Sequence, residues 1–373
     1  MMTLRQSAGS LMVVGVGGTE LTGMERAWLK LIRPGGVILF RRNITDATQT
    51  RAHLDDAAKL CAAHAFRCVD VEGGTVDRLR DVLGGMPSAF SVAQAGAGHE
   101  HGRLIAQGVR AFGFNTTLAP VLDLGHAAGA DVMGTRCAGQ TPSQVIEFAR
   151  GFLSGLAQFG VAGCGKHFPG LGSGTCDSHD DTPVIERTWN QMWDEELEPY
   201  RALHAELPMV MVNHAAYPRT RGSKRPASVS KFWISTVLRT RLRYRGVIFS
   251  DDLEMGGILK FMPMEDAAIE AIRAGMDTIE ICHSAELILR AYESLVREGE
   301  RSAAFRTLIT VRARKMERVR KALFARGVAP KLSGKQFEAL RAKIAAFRDR
   351  VTKANNASAT GAPDSKRAMV ETA

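Results

Sequence analysis

Eight short apolar runs, separated by helix-length stretches, constrain this chain more than any other feature. They fall at residues 11–16, 36–40, 67–71, 114–122, 160–163, 209–212, 246–249 and 277–281. The runs are continuous rather than alternating, as expected for strands covered on both faces, and such strands belong to parallel sheets. Residues 45–63, 142–159 and 193–205 read as helices by composition and length, with Pro142 and Ser143 suited to a helix start. Parallel strands require crossover connections, so eight strand–helix units predict an α/β chain, a closed (β/α)8 TIM-type barrel with additional C-terminal helices. An open doubly wound sheet is the alternative. No G-x-G-x-x-G follows the first run, which counts against its dinucleotide-binding version.

With 45% hydrophobic and 24% charged residues, the chain can bury a core, and whole-chain disorder is excluded. No run reaches the ~18 consecutive apolar residues of a membrane span. The first apolar run is preceded only by Arg5 and broken by Gly15, Gly17 and Gly18, so it reads as a first strand rather than a leader. The cysteines, at 61, 68, 137, 164, 176 and 282, form no C-x-x-C pair. Reduced thiols and a cytoplasmic location are expected.

The net charge is +10, but residues 301–350 carry 15 Lys/Arg against three acidic residues, which leaves −2 for the rest. That block has helical apolar spacing (Phe305, Leu308, Ile309, Met316, Val319, Leu323; then Phe337, Leu340, Ile344, Phe347, Val351). It reads as two amphipathic helices with solvated basic faces, not as a nucleic-acid surface. The expected layout is a catalytic barrel over residues 1–300, basic helices packed on it over 301–352, and a disordered tail over 353–373.

Polar residues gather just after the apolar runs, where barrel enzymes keep their chemistry: Asp70 and Glu72, Asp123, Lys166 and His167, Asn213 and His214, Asp251 and Asp252. Residues 165–188, GKHFPGLGSGTCDSHDDTPVIERT, form a glycine-rich loop in which Asp177 stands two residues from His179. A histidine polarised by a carboxylate is a suitable general acid/base, although a D-S-H triplet alone also fits an ordinary surface turn. Residues 246–255, GVIFSDDLEM, deliver two carboxylates at a strand end, where an aspartate can attack an anomeric carbon or cap the following helix. His214 either lines the site or is a satisfied structural histidine. His53, His64, His99 and His101 read as surface residues, and Trp189 and Trp193 as packing residues.

Together, KHFPG with the downstream D-S-H and GVIFSDDL resemble glycoside hydrolase family 3, in particular its single-domain bacterial β-N-acetylglucosaminidases. GGVILFRRNI at 35–44, DVEGG at 70–74, LAPVLD at 118–123 and AGMD at 274–277 extend the resemblance in order along the chain. The resemblance implies a retaining exo-β-N-acetylglucosaminidase acting on GlcNAc-containing muropeptides or oligosaccharides, without metal or other cofactor. Asp251 would be the nucleophile, and His179, supported by Asp177, the acid/base. Asp70, Arg78, Arg136, Lys166 and His167 would hold the sugar. A monomer with no nucleic-acid or membrane partner is expected. Leu171, Val71, Thr75 and Asn213 depart from the family's usual pattern.

The alternatives are a β-glucosidase or glycoside phosphorylase of the same family, and a non-catalytic muropeptide-binding protein. A metal-dependent hydrolase using His167, Asp177, His179 and Asp180 has no H-x-H or H-E-x-x-H spacing behind it.

Overall fold

A computed structural model describes residues 2–174, 181–222 and 224–357. Strands β1 (Met12–Gly15), β2 (Gly36–Leu39), β3 (Phe66–Val69), β4 (Thr116–Thr117), β5 (Ala162–Phe168), β6 (Met209–Val212), β7 (Val247–Asp252) and β8 (Thr278–Ile281) close into a barrel. Each pairs in parallel with its sequence neighbours. Val13 of β1 stands opposite Gly36 of β2 on one side and Glu280 of β8 on the other, which closes the ring. This is the (β/α)8 architecture expected from the eight apolar runs.

Side-chain caps set the helix starts. Asp46 accepts from the amides of Thr48 and Gln49 at 2.7 and 2.9 Å and begins the helix Ala47–Leu60. Thr141, one residue before Pro142, begins Pro142–Gln158 in a reciprocal pair with Gln144. Three stretches differ from the sequence expectation. Over 114–122 only Thr116–Thr117 form a strand, since Pro120 has no N–H to extend the ladder, and pairing resumes as a single bridge from Val121 to Lys166. β5 runs to Phe168 rather than stopping near 163, so Lys166 and His167 lie within the strand. The expected helix over 193–205 is a succession of short pieces, Trp189–Gln191, a π-helical turn Met192–Glu196, and Glu198–Leu203.

Three helices follow the barrel strands: Ala285–Arg301, Ala303–Leu323 and Gly334–Ala357. The last continues past 352, so the stretch expected as a tail begins in helix; residues 358–373 lie outside the described residues. Part of the basic block is occupied internally. Asp277, buried where β8 begins, takes Lys315 Nζ at 2.9 and 3.0 Å, Arg239, and the Ile248 amide at 3.0 Å. Arg320 is buried and donates to the Ser10 carbonyl at 3.0 Å. Burial lowers its pKa to about 10. Trp189 and Trp193 pack on each other at 5.5 Å, and Trp189 reaches Trp233 at 6.1 Å, as expected for packing residues.

Two histidines correct the sequence expectation. His53 and His101 are buried, whereas His64 and His99 are exposed. His101 lies among Phe148, Phe152 and Phe347, stacked on the last at 5.9 Å, and neither ring nitrogen has a hydrogen-bond partner among the described residues. An amphipathic side chain on a helix of mixed composition gave no hint of this. The Gly334–Ala357 helix, by way of Phe347, completes the apolar cage.

Burial lowers the His101 pKa from 6.5 to about 3, so the folded protein holds it neutral while the unfolded chain protonates it below pH 6.5. The unfolded state then binds more protons, and stability falls as pH drops from about 6.5 toward 3. At ~1.4 kcal/mol per pKa unit the loss reaches up to about 5 kcal/mol. His101→Leu should flatten the slope of unfolding free energy against pH between about 4 and 6.5, measured by urea denaturation. An unchanged slope would remove His101 from this account.

Candidate active site

The C-terminal ends of the strands surround one pocket. Asp70, Arg78, Arg136, Lys166, His167 and Asp251, the six predicted site residues within the described set, all line it. Asp70 directly follows β3. A two-stranded hairpin, Val71–Gly73 with Val76–Asp77, then folds the chain back, so that the Arg78 amide donates to the Asp70 carbonyl at 3.1 Å. The hairpin requires glycine at its turn: Gly73 has φ +95°, and a Cβ there would lie 2.3 Å from the Pro87 carbonyl oxygen.

Glu72, carried by this hairpin, was not among the predicted site residues. It is buried and accepts from Arg136 through both oxygens, from Nε and Nη2 at 2.9 Å each, and from Lys166 Nζ at 2.7 Å. Lys166 also donates to Asp70 at 2.8 Å. Burial alone would raise the Glu72 carboxyl, but Arg136 and Lys166 outweigh it and hold the group far below the usual carboxylate range. Burial likewise works against the charges of Lys166 and Arg136, and their carboxylate partners reverse it, so both pKa values are raised.

His167 is fixed by Asp123, whose Oδ2 lies 2.6 Å from Nδ1 and 3.1 Å from the His167 amide. Arg136 Nη2, which can only donate, stands 3.4 Å from Nε2, so the geometry assigns the ring proton to Nδ1. Asp123 also accepts from the Leu171 amide at 2.6 Å, and Leu171 closes one wall of the pocket. Asn213 donates to the His167 carbonyl at 2.9 Å. Of the departures from the family pattern, Asn213 thus supports the segment that carries His167 through its side chain, whereas Leu171 contributes only its backbone amide there. His214 is a structural histidine: it is buried, pairs with Ser228 Oγ at 2.7 Å and with the Asp252 carbonyl at 2.9 Å, and is absent from the pocket wall.

The opposite wall is acidic. β7 ends in Asp251 and Asp252, and Asp251 Oδ1 accepts from the Asp252 amide at 3.0 Å. Burial, then the neighbouring Glu254 carboxylate, pushes Asp252 up to about 8. Glu280 of β8, also buried, is raised well above its ordinary value, first by burial and then by Asp70, Asp252 and Asp251. Asp177 and His179 lie outside the described residues, as does Asp180 of the metal alternative. The ends of their loop are anchored nearby: Thr182 Oγ1 donates to the Gly257 carbonyl at 2.6 Å, just beyond β7, and the Ile185 amide to the Ala216 carbonyl at 2.8 Å.

A barrel whose mouth gathers carboxylates, guanidinium, ammonium and imidazole around one pocket can hold a polyol by charge-assisted hydrogen bonds. Comparison with known proteins makes this specific. The glycosyl hydrolase family 3 N-terminal domain matches residues 3–319, and the chain belongs to that family of glycoside hydrolases. It is 35% identical over 279 residues to a β-hexosaminidase of Idiomarina loihiensis, covering 73% of this chain and 83% of that one. A family 3 β-N-acetylglucosaminidase from Paenibacillus sp. str. FPU-7 superposes with a TM-score of 0.83 at 31% identity, covering 93% of this chain and 69% of that one. NagZ from Neisseria gonorrhoeae, in complex with N-trifluoroacetyl-D-glucosamine, superposes with a TM-score of 0.73 at 27% identity, covering 91% of this chain and 98% of that one.

Removing one partner of a buried ion pair leaves the other charge uncompensated, at a cost of about 3–5 kcal/mol. Arg136→Met should therefore lower the unfolding free energy by about that much, seen as a reduced urea midpoint at unchanged m-value. A loss below about 1 kcal/mol would show that Glu72 does not depend on Arg136.

Proposed function

We propose that this chain is a retaining exo-β-N-acetylglucosaminidase that removes terminal β-linked N-acetylglucosamine, with muropeptide fragments of cell-wall turnover as its substrates. The observation that carries this is the convergence of Asp251 with Asp70, Arg78, Arg136, Lys166 and His167 on one pocket. The hexosaminidase relatives supply the sugar class. Side chains fill the barrel interior beneath the pocket, which favours a chain end over a chain interior.

In this reading the sugar's hydroxyls lie against Asp70, Lys166, Arg78 and His167, with Arg136 positioning both Glu72 and His167. Asp251 attacks the anomeric carbon as the glycosidic C–O bond breaks, and the leaving oxygen takes a proton from His179. Water then gives a proton back to His179 and adds to the anomeric carbon, which releases the sugar and frees the Asp251 carboxylate. Two inversions give net retention. Asp177 holds the imidazole in orientation. The five described cysteines are unpaired thiols, which supports a reducing, cytoplasmic location. Among the described residues no helix is long and apolar enough to cross a membrane.

Wild-type protein should cleave an aryl β-N-acetylglucosaminide in preference to the glucoside, without phosphate. Asp251→Ala should lose turnover by at least about a thousandfold and recover part of it with azide, releasing a glycosyl azide. Preference for the glucoside would move the substrate within the family, and dependence on phosphate would make the enzyme a phosphorylase. Tight sugar binding without turnover would leave a binding protein.

A further inference from the structure

On the acidic wall of the pocket, β7 and β8 bring together three side chains that the glycosidase reading does not use. Asp252 is the last residue of β7 and pairs in register with Glu280 of β8. Cys282 and His283 follow β8 directly. The Asp252 carboxylate, Cys282 Sγ and a ring nitrogen of His283 all lie within 4.8 Å of one another. His283 Nε2 is 3.6 Å from Asp252 Oδ2, and the Cys282 thiol is hydrogen-bonded to the Asp252 carboxyl. Cys282 is buried, while His283 is partly exposed with its ring 5.2 Å from that of Phe40.

The backbone that carries these groups is held in place. Glu254 accepts from the amides of Cys282 at 3.0 Å, Ser284 at 2.6 Å and His283. On the other side, Arg42 donates to the Cys282 carbonyl at 2.9 Å. β1 also approaches closely here, since a Cβ on Gly15 would sit 1.8 Å from that carbonyl oxygen. The turn is therefore a rigid mount and not a loose end.

We propose that Asp252, Cys282 and His283 form a binding site for a single thiophilic divalent cation, zinc foremost, on the wall of the sugar pocket beside Asp251. One thiolate, one imidazole and one carboxylate are a borderline-soft set that suits Zn2+ or Co2+ and not Mg2+ or Ca2+. Tetrahedral bonds of ~2.0–2.3 Å place ligand atoms ~3.3–3.8 Å apart, so side-chain shifts of about 1 Å complete the geometry. Three protein ligands leave the fourth position to water on the pocket side. The thiol proton, and that of Asp252 where it is protonated, pass to solvent as the metal binds.

The electrostatics favour a dication. Asp251, Glu254 and Glu280 all act on Asp252 or Cys282, against Arg42 and Arg78 as the neighbouring cations. A bound dication offsets the mutual repulsion of these crowded carboxylates. In this position the ion stands beside Asp251 and obstructs the pocket. That second consequence rests on the glycosidase reading, whereas binding does not.

Reduced full-length protein should be titrated with Co2+ while the sulfur-to-cobalt charge-transfer band is followed. We expect a band that saturates at one equivalent and is displaced by Zn2+. Cys176→Ser, on the loop with Asp177 and His179, should retain it. Cys282→Ser should abolish it, and His283→Asn should weaken binding at least tenfold. No band in the wild type, a band surviving Cys282→Ser, or one lost in Cys176→Ser overturns the site. If Cys282→Ser does not fold, unchanged affinity in His283→Asn overturns it equally. Zinc should also inhibit aryl glycoside turnover, less potently in His283→Asn by the same factor. Because the spectral titration needs no activity, failure of the glycosidase reading and failure of the metal site are separately visible.

Discussion

A carboxylate with essentially no solvent, Glu72, holds the mouth of this barrel together. It comes from the hairpin after β3, one cation facing it comes from β5, and the other from the segment after β4. Three elements distant in sequence therefore meet because a buried charge must be matched. Once Glu72 is ionised, Lys166 has a fixed position between it and Asp70, and Arg136 is held flat against it, its Nη2 facing both Glu72 and His167. The polar groups that line the pocket owe their positions to this ion cluster. A buried cluster of this kind contributes little net stability against an apolar replacement. Its effect is to fix the geometry of the barrel mouth.

The barrel was legible because a strand buried on both faces reads as a short apolar run, and such runs fell where six of the eight strands lie. The two misjudged stretches fail for opposite reasons. Over 114–122 the apolar run exceeds the strand, because Pro120 withdraws a donor that hydrophobicity cannot register. In β5 the strand exceeds the apolar run, because Lys166 and His167 look like loop residues until their partners Glu72, Asp70 and Asp123 are known. The same blindness left Glu72, although it was noted at a strand end, without a role. A carboxylate on a hairpin reads as solvent-facing, and only the spatial meeting with Arg136 shows otherwise. Asp70 and Asp251 were legible, since each stands immediately beyond an apolar run that ends cleanly. His101 was not legible, because its cage is completed by Phe347, nearly 250 residues away in sequence.

The charge distribution tells a related story. A block of 50 residues with a +12 surplus invites a polyanion, yet charge counted along a sequence does not say which way the side chains face. Asp277 gathers Lys315 and Arg239 at the start of β8, and Arg320 reaches through to the Ser10 carbonyl beside β1. Part of the surplus thus fastens the helix Ala303–Leu323 across the seam where the first and last strands meet. The match of the family 3 domain extends to residue 319, through most of this helix.

The pocket sorts its carboxyl groups into two populations, and the sorting follows from which side the cations occupy. Glu72 and Asp70 have Arg136 and Lys166 within hydrogen-bond reach. Across the pocket, Asp252 and Glu280 face mainly other acids, so burial raises their pKa values, to about 8 for Asp252. No described group hydrogen-bonds Glu280 Oε1. One wall therefore presents acceptors paired with their cations, and on the other burial and crowding favour the protonated form of Asp252 and Glu280. Asp251 stands on that crowded side. A proton held by Asp252 or Glu280 removes a negative charge beside Asp251, so the acids at the ends of these two adjacent strands titrate as a coupled group, and the charge each carries depends on the others.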